Sequence, residues 1–335
     1  MTVESPQTKS AAGRKIWWLT IVVLVAVALY SSIWFYSASK LQAGLSAFLE
    51  ERKAAGLNGE CVEGDVRGFP FRIGYFCKAV RIDDSRRATS VSFGELRTAA
   101  QIYQPGHAII ELDGPAEIRT AQGPSVAANW DLLKASVVAT TTGLDRTSLV
   151  YDKMAGTLLT PELTGALAFS ADHGETHIRQ NGADLDAALS VDNLDLKLEG
   201  TSLLRPVNSK ADITIFDRAD WLAGNAANPS LRNSRGQLRN AEVDLGDGML
   251  LTVSGPFSVS ADGLISGELD LGMKNISAWR TALSTSFPQA TNMIDNAANM
   301  LTALGGGEND TSLKLSMRDG AAYIAFIKLG ELPRL

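Results

Sequence analysis

The sequence predicts a mainly β protein with some α. An N-terminal transmembrane helix is followed by a large curved antiparallel β-sheet body with an amphipathic helix packed on it. Three observations carry this expectation. A long uncharged apolar run lies near the N-terminus, the chain after it alternates apolar and polar residues, and one late stretch changes to a helical period.

Ile16 to Phe35 reads IWWLTIVVLVAVALYSSIWF, with no formal charge. Twenty helical residues rise about 30 Å, the thickness of a bilayer's hydrocarbon core. Trp17 and Trp18 stand at one end, Trp34 and Tyr36 at the other, where amphipathic rings favour the headgroup zone. Arg14 and Lys15 precede the run and Lys9 lies further out, so the positive-inside bias puts the N-terminus in the cytoplasm. The competing reading is a cleaved secretory signal ending near Ser37-Ala38-Ser39, for which the apolar run is long. Both readings export the rest of the chain. The expected organisation is a cytoplasmic tail (1–15), a transmembrane helix (16–36), a juxtamembrane helix (37–56) and an extracytoplasmic β-rich domain (57–335). In the juxtamembrane helix Leu41, Leu45, Phe48, Leu49 and Arg52 share a face, Gly56 ends it, and its expected role is a stalk.

Cys61 and Cys77 are the two cysteines of the chain. In an oxidising compartment such a pair is expected to be bridged. Gly68-Phe69-Pro70 reads as a turn about which the two cysteines are nearly symmetrical, so a hairpin there brings them within bonding reach. The alternative is two buried free thiols. Two thiols at this spacing without partnered histidines do not make a zinc site.

Beyond Gly59 the dominant period is two. Phe69, Phe71, Ile73, Tyr75 and Cys77 alternate with other residues as a strand with one apolar face, and Leu185, Ala187, Leu189 and Val191 do likewise. The pattern slips at Asn193 before Leu194, Leu196 and Leu198 resume it, which predicts a bulge or break. Met249, Leu251 and Val253 read as another strand, as do Leu269, Leu271 and Met273. Turns are expected at Asp113-Gly114, Gly246-Asp247-Gly248, Ala261-Asp262-Gly263 and Asp319-Gly320. Closely spaced strands with few helices between them argue for an antiparallel meander, and no linker divides it.

The helical stretch runs from Ser277, the expected N-cap, to a stop at Gly305-Gly306-Gly307. Leu283, Phe287, Ala290, Ile294, Ala297, Leu301 and Leu304 form its apolar stripe, and Pro288 should kink or restart it. Leu283, Phe287, Ile294 and Leu301 are candidates for one side of a groove or a lid over it. The plainer reading is a helix packed on the sheet.

Charge narrows the partners. The chain has a net charge of −6, and residues 1–40 hold Lys9, Arg14, Lys15 and Lys40 against Glu4, so the remainder is more acidic still. An acidic body lacks the clustered Lys and Arg that phosphate contacts need, which excludes nucleic acid. Residues for chemistry are sparse. His107, His173 and His177 are the histidines; in a strand His173 and His177 share a face, yet no third metal ligand can be named. No GxSxG elbow, phosphate-binding loop, dinucleotide fingerprint or deaminase zinc signature occurs. Carboxylates such as Asp184, Asp186, Asp192 and Asp195 sit at outward positions of half-buried strands. No enzyme, metal or cofactor is expected.

Gly68-Phe-Pro-Phe-Arg-Ile73, flanked by the cysteines, resembles the bacterial envelope proteins grouped as domain of unknown function 2125. The likeness continues in Asn129-Trp130, Ser148-Leu-Val-Tyr151, Ser254-Gly-Pro256, Ala261 to Gly267, Arg318-Asp-Gly320 and Leu329 to Pro333. The resemblance implies an inner-membrane protein with its body in a periplasm, and it brings no catalytic residues. The anchor and long meander are also similar in architecture to AsmA-like envelope proteins, whose open curved sheet is thought to hold lipid. The implied partners are the membrane, a lipid or other hydrophobic ligand on the sheet, or an envelope protein recruited through a sheet edge.

Overall fold

The computed structural model describes residues 11–54, 56–224, 229–305, 309–324 and 327–335. Glu4, Lys9, Gly306 and Gly307, used above, lie outside them.

The expected span and juxtamembrane segment form one unbroken helix, α1 (Ala11–Ala54). No proline interrupts it, and Arg52 and Lys53 in its last turn complement the negative end of the helix dipole. Gly56 stops it at φ 85°, its N–H donating to the Lys53 carbonyl at 2.9 Å. Apolar side chains in the first half are bare: Leu24 is 62% exposed.

The body is an antiparallel meander in which each long strand pairs with its neighbours in the chain. The first five long strands are each broken once. They are β1 (Leu57–Val62) with β2 (Asp65–Arg67), β3 (Arg72–Cys77) with β4 (Ala79–Asp84), and β5 (Thr89–Phe93) with β6 (Leu96–Gln101). β7 (Gln104–Leu112) with β8 (Ala116–Thr120), and β9 (Ser125–Asn129) with β10 (Leu132–Thr140), complete this set. Both halves of each pair with both halves of the next, so the breaks are bends in continuous strands. The middle is formed by β11 (Gly143–Leu159), β12 (Leu167–Asn181) and β13 (Asp184–Leu198), with β14 (Thr201–Ser202) a short return on β13. β15 (Val207–Ile215), the short helix α2 (Ala219–Ala223), β16 (Ser234–Asp244), β17 (Leu250–Val259) and β18 (Ile265–Lys274) follow. Then come α3 (Ile276–Ser286), a single 3-10 turn at Pro288–Ala290, and α4 (Thr291–Leu304). β19 (Thr311–Arg318), β20 (Ala321–Ile324) and β21 (Ile327–Glu331) end the sheet. Among the described residues the first strand does not pair with the last, so the sheet is open.

Several expectations are refined. The strand read from Phe69 begins instead at Arg72, because Gly68 at φ 116° turns the chain and residues 68–71 form the tip of the β2–β3 hairpin. Cys61 and Cys77 are bridged, with an S–S distance of 2.05 Å. They are not opposite each other in a hairpin ladder: Cys61 faces Val80 of β4, because Glu63 in left-handed conformation bends the first strand between β1 and β2. The slip at Asn193 is a bulge, with Asn193 at φ 56° and the register against β15 shifting between Val191 and Leu194. It keeps Leu194, Leu196 and Leu198 on the face of Leu189. Met249 precedes β17 rather than opening it, and is 1% exposed.

In the late helical region Pro288 separates α3 from α4 as expected. The N-cap is Asn275, not Ser277, whose own N–H is taken by the Asn309 side chain at 2.8 Å. Ala298 is buried where Ala297 was expected to be, so the stripe turns slightly after the proline. The tightest core is Leu245, Met249 and Trp279, where α3 closes over the β16–β17 turn.

The C-terminal half of α1 is not a free stalk. It lies on β1, β2 and β3, with Leu49 against Gly59. The first long strand then runs back along the helix, bringing the 68–71 tip to Tyr30 and Trp34. The Tyr30 hydroxyl donates to the Pro70 carbonyl at 2.6 Å, and Trp34 Nε1 donates to the Arg72 carbonyl at 2.8 Å.

Candidate functional site

The pairing register lines up one face of the sheet. Thr98, Ile110, Ala135, Leu149, Thr176 and Leu189 are successive cross-strand partners from β6 to β13. The row continues through Ala211, Ala241, Val253, Leu271 and Leu313 to β19. Ten strand spacings at about 4.8 Å make this row about 48 Å long. A second row on the same face runs through Leu133, Tyr151, Gly174, Val191, Ser209, Val243, Leu251 and Met273. Neither row contains a charge. Gly156 opposite Phe169, Gly174 opposite Tyr151 and Gly236 opposite Phe257 leave no room for a Cβ, which would meet the facing ring and, at Gly156 and Gly236, also the backbone carbonyls of Ala127 and Thr214.

α1 and α3 cover the two ends of this face, and α2 packs against β11, β12 and β13 between them. At one end Leu45, Phe48 and Leu49 of α1 lie over Tyr75, Val80, Ile82 and Leu96 around a partly open cavity of about 180 Å³, whose lining also includes Arg52, Glu60 and Arg81. At the other, Trp279, Ala282 and Leu283 of α3 pack on Val243, Leu251 and Met273. Between them Leu149 is 39% and Leu189 45% exposed, although each lies mid-strand in the centre of the sheet. A compact globular protein of this mass exposes about 13,000 Å². This chain exposes 20836 Å².

Of the candidate groove or lid residues, Leu283 joins the α3 core, while Phe287 closes α3, its N–H donating to the Leu283 carbonyl at 2.8 Å. Ile294 and Leu301 are half-buried on α4, which packs on α3 and β19. They therefore flank one end of the apolar face and do not lie over Leu149 and Leu189.

The opposite face carries the charges, and cross-strand pairs neutralise many of them. Lys210 meets Glu242 at 3.0 Å, Lys314 meets Asp270 at 3.1 Å, and the Arg97 fork holds Asp113 at 2.6 and 2.7 Å. Asp186 is 4% exposed and accepts from Thr214 (2.7 Å), Arg179 (3.0 Å) and Arg239 (3.1 Å). Burial works to raise its pKa, but these bonds hold it below the ordinary value. On β12, Glu175 stands between the two histidines, 3.1 Å from His173 Nε2 and 2.9 Å from His177 Nε2, while Asp152 meets His173 Nδ1 at 2.6 Å. The bond to Asp152, then that to Glu175, raises the His173 pKa. The histidines share a face as the strand period requires, and among the described residues no group of three or more His, Cys, Asp or Glu is arranged to hold a metal.

The sequence reading missed the length of the aligned apolar rows and the seat of the hairpin tip on α1. A signal for the second was present. Tyr30 and Trp34 each put a polar hydrogen inside an apolar run, where such a group needs a partner.

Comparison with known proteins agrees with the motif reading. Residues 34–333 match the family described as an uncharacterized protein conserved in bacteria (DUF2125). No curated protein matches the chain. With nearly all of the body covered, from Trp34 through the last strand, this chain belongs to the DUF2125 family.

Proposed function

We propose that this protein is a non-enzymatic, single-pass inner-membrane protein that holds lipid or another hydrophobic molecule on the open apolar face of its periplasmic sheet. The supporting observation is the uncharged row from Thr98 to Leu313, covered at its ends by α1 and α3 and exposed at Leu149 and Leu189. Monomeric soluble proteins rarely leave a contiguous apolar surface of this extent in water. Strand twist of about 20° per neighbour rolls so long a meander, turning its apolar face into a groove suited to an acyl chain. The anchor reading rests on the charge-free and largely bare run from Ile16 to Leu29 within α1, and the periplasmic placement on the Cys61–Cys77 bridge and the basic flank at Arg14 and Lys15.

Native mass spectrometry of the full chain released from detergent tests this reading. The expected result is co-purified lipid or hydrophobic adducts that are depleted in a Leu189→Glu variant of unchanged fold. Adduct-free protein that takes up no lipid from mixed micelles overturns it.

A second reading is an edge-binding module. β21 is exposed along its whole length, including Ile327 and Leu329, and among the described residues pairs only with β20. An open edge recruits other strands. Lys328, Glu331 and Pro333 beside it are features that blunt an edge, which ranks this reading second. In-cell crosslinking from position 329 that traps one dominant protein would favour it.

A further inference from the structure

We propose that the β2–β3 hairpin tip, residues 68–71, is embedded in the outer acyl layer of the bilayer and seats the sheet on the membrane. This rests on the anchor reading above.

Tyr36 marks the outer end of the apolar span, and Tyr30 lies about 9 Å deeper along a helix rising about 1.5 Å per residue. The Pro70 carbonyl is bonded to the Tyr30 hydroxyl, so the tip shares that depth. Trp34 Nε1 on the Arg72 carbonyl fixes the base of the tip one turn further out. These two bonds satisfy backbone carbonyls that water cannot reach inside a bilayer.

The exposed chemistry fits the same place. Phe69 stacks on Phe35 with ring centroids 5.7 Å apart and meets Trp34 edge-on at 5.4 Å. Phe71 is 67% exposed, and its backbone carbonyl receives the N–H of Ile102, so the next turn, with exposed Tyr103, lies alongside. Phe35, Phe69 and Phe71 would be a costly cluster in water and are compatible with acyl chains. Arg67, paired with Asp65 at 2.9 Å, and Arg72 flank the tip, and long basic side chains in such a place extend their charge toward the headgroups. The consequence is a route. Ile73 and Ala100, partners at the membrane end of the apolar face, stand at the bilayer surface, so a lipid leaving the outer leaflet meets apolar side chains without crossing water.

The test is depth-dependent quenching of the full chain in phosphatidylcholine vesicles. An environment-sensitive dye is placed singly through Val25→Cys, Phe71→Cys or Ser312→Cys after the native bridge has formed. The expected result is a blue-shifted Phe71→Cys probe, quenched by nitroxide lipids and shielded from aqueous iodide, with the Ser312→Cys probe behaving oppositely. A lipid-quenched Val25→Cys probe beside an iodide-quenched Phe71→Cys probe overturns the proposal and leaves the anchor standing. A Val25→Cys probe open to iodide removes the anchor and the proposal together.

Discussion

The indole of Trp34, 4% exposed near the C-terminal end of the apolar run, donates its hydrogen to the backbone carbonyl of Arg72, thirty-eight positions later. That bond joins the candidate anchor helix to the sheet. Trp34→Phe keeps a ring in place but leaves the carbonyl without a donor, at a cost of about 1–3 kcal/mol for an unsatisfied buried acceptor. Hydrogen–deuterium exchange should quicken in residues 68–73 and stay unchanged in β12 and β13. Equal protection in both proteins would show that the bond contributes nothing to seating the hairpin.

The Cys61–Cys77 bridge spans a sequence separation of 16. Closing a loop of that size stabilises by about 3 kcal/mol in the chain-entropy model. Replacing both cysteines with serine should lower the melting temperature and expose β1 and β2 to protease before the central strands. Indistinguishable melting curves would contradict this.

Asp186 accepts hydrogen bonds from β12, β15 and β16 side chains and so ties the charged face together. Asp186→Ala should destabilise by about 1–3 kcal/mol, the cost of its lost bonds. The figure stays below that of a fully buried pair because Arg179 and Arg239, 65% and 38% exposed, can turn to water. Denaturant melts of the two proteins measure the difference.

The histidine cluster on β12 should give a modest pH dependence. His173 titrates above its ordinary 6.5, so its contribution is full below that pH and is lost as pH rises through the folded value. Glu175, held below its ordinary 4.5 by His177 and then His173, contributes above that pH and loses its effect as pH falls through its folded value. The cluster therefore favours the window between 4.5 and 6.5. Both groups are solvent-accessible, so salt weakens the effect. Melting temperature should decline from pH 6.5 upward in the native protein and flatten in His173→Gln. The same slope in both would assign it elsewhere.

Local chemistry made much of the architecture legible from residue order alone. The charge-free run announced a helix of bilayer length, period-two alternation announced strands, the slip at Asn193 announced its bulge, and Pro288 announced the break between α3 and α4. Each depends on neighbours within a few positions. Other features depend on residues far apart in sequence. That the 68–71 tip seats against the helix was settled by Trp34 and Tyr30, and the partner across from Cys61 by the bend at Glu63. The alignment of Leu149 with Thr176 and Leu189 was likewise decided only by strand register, because alternation says which residues share a face of one strand and register says which of them touch across the sheet.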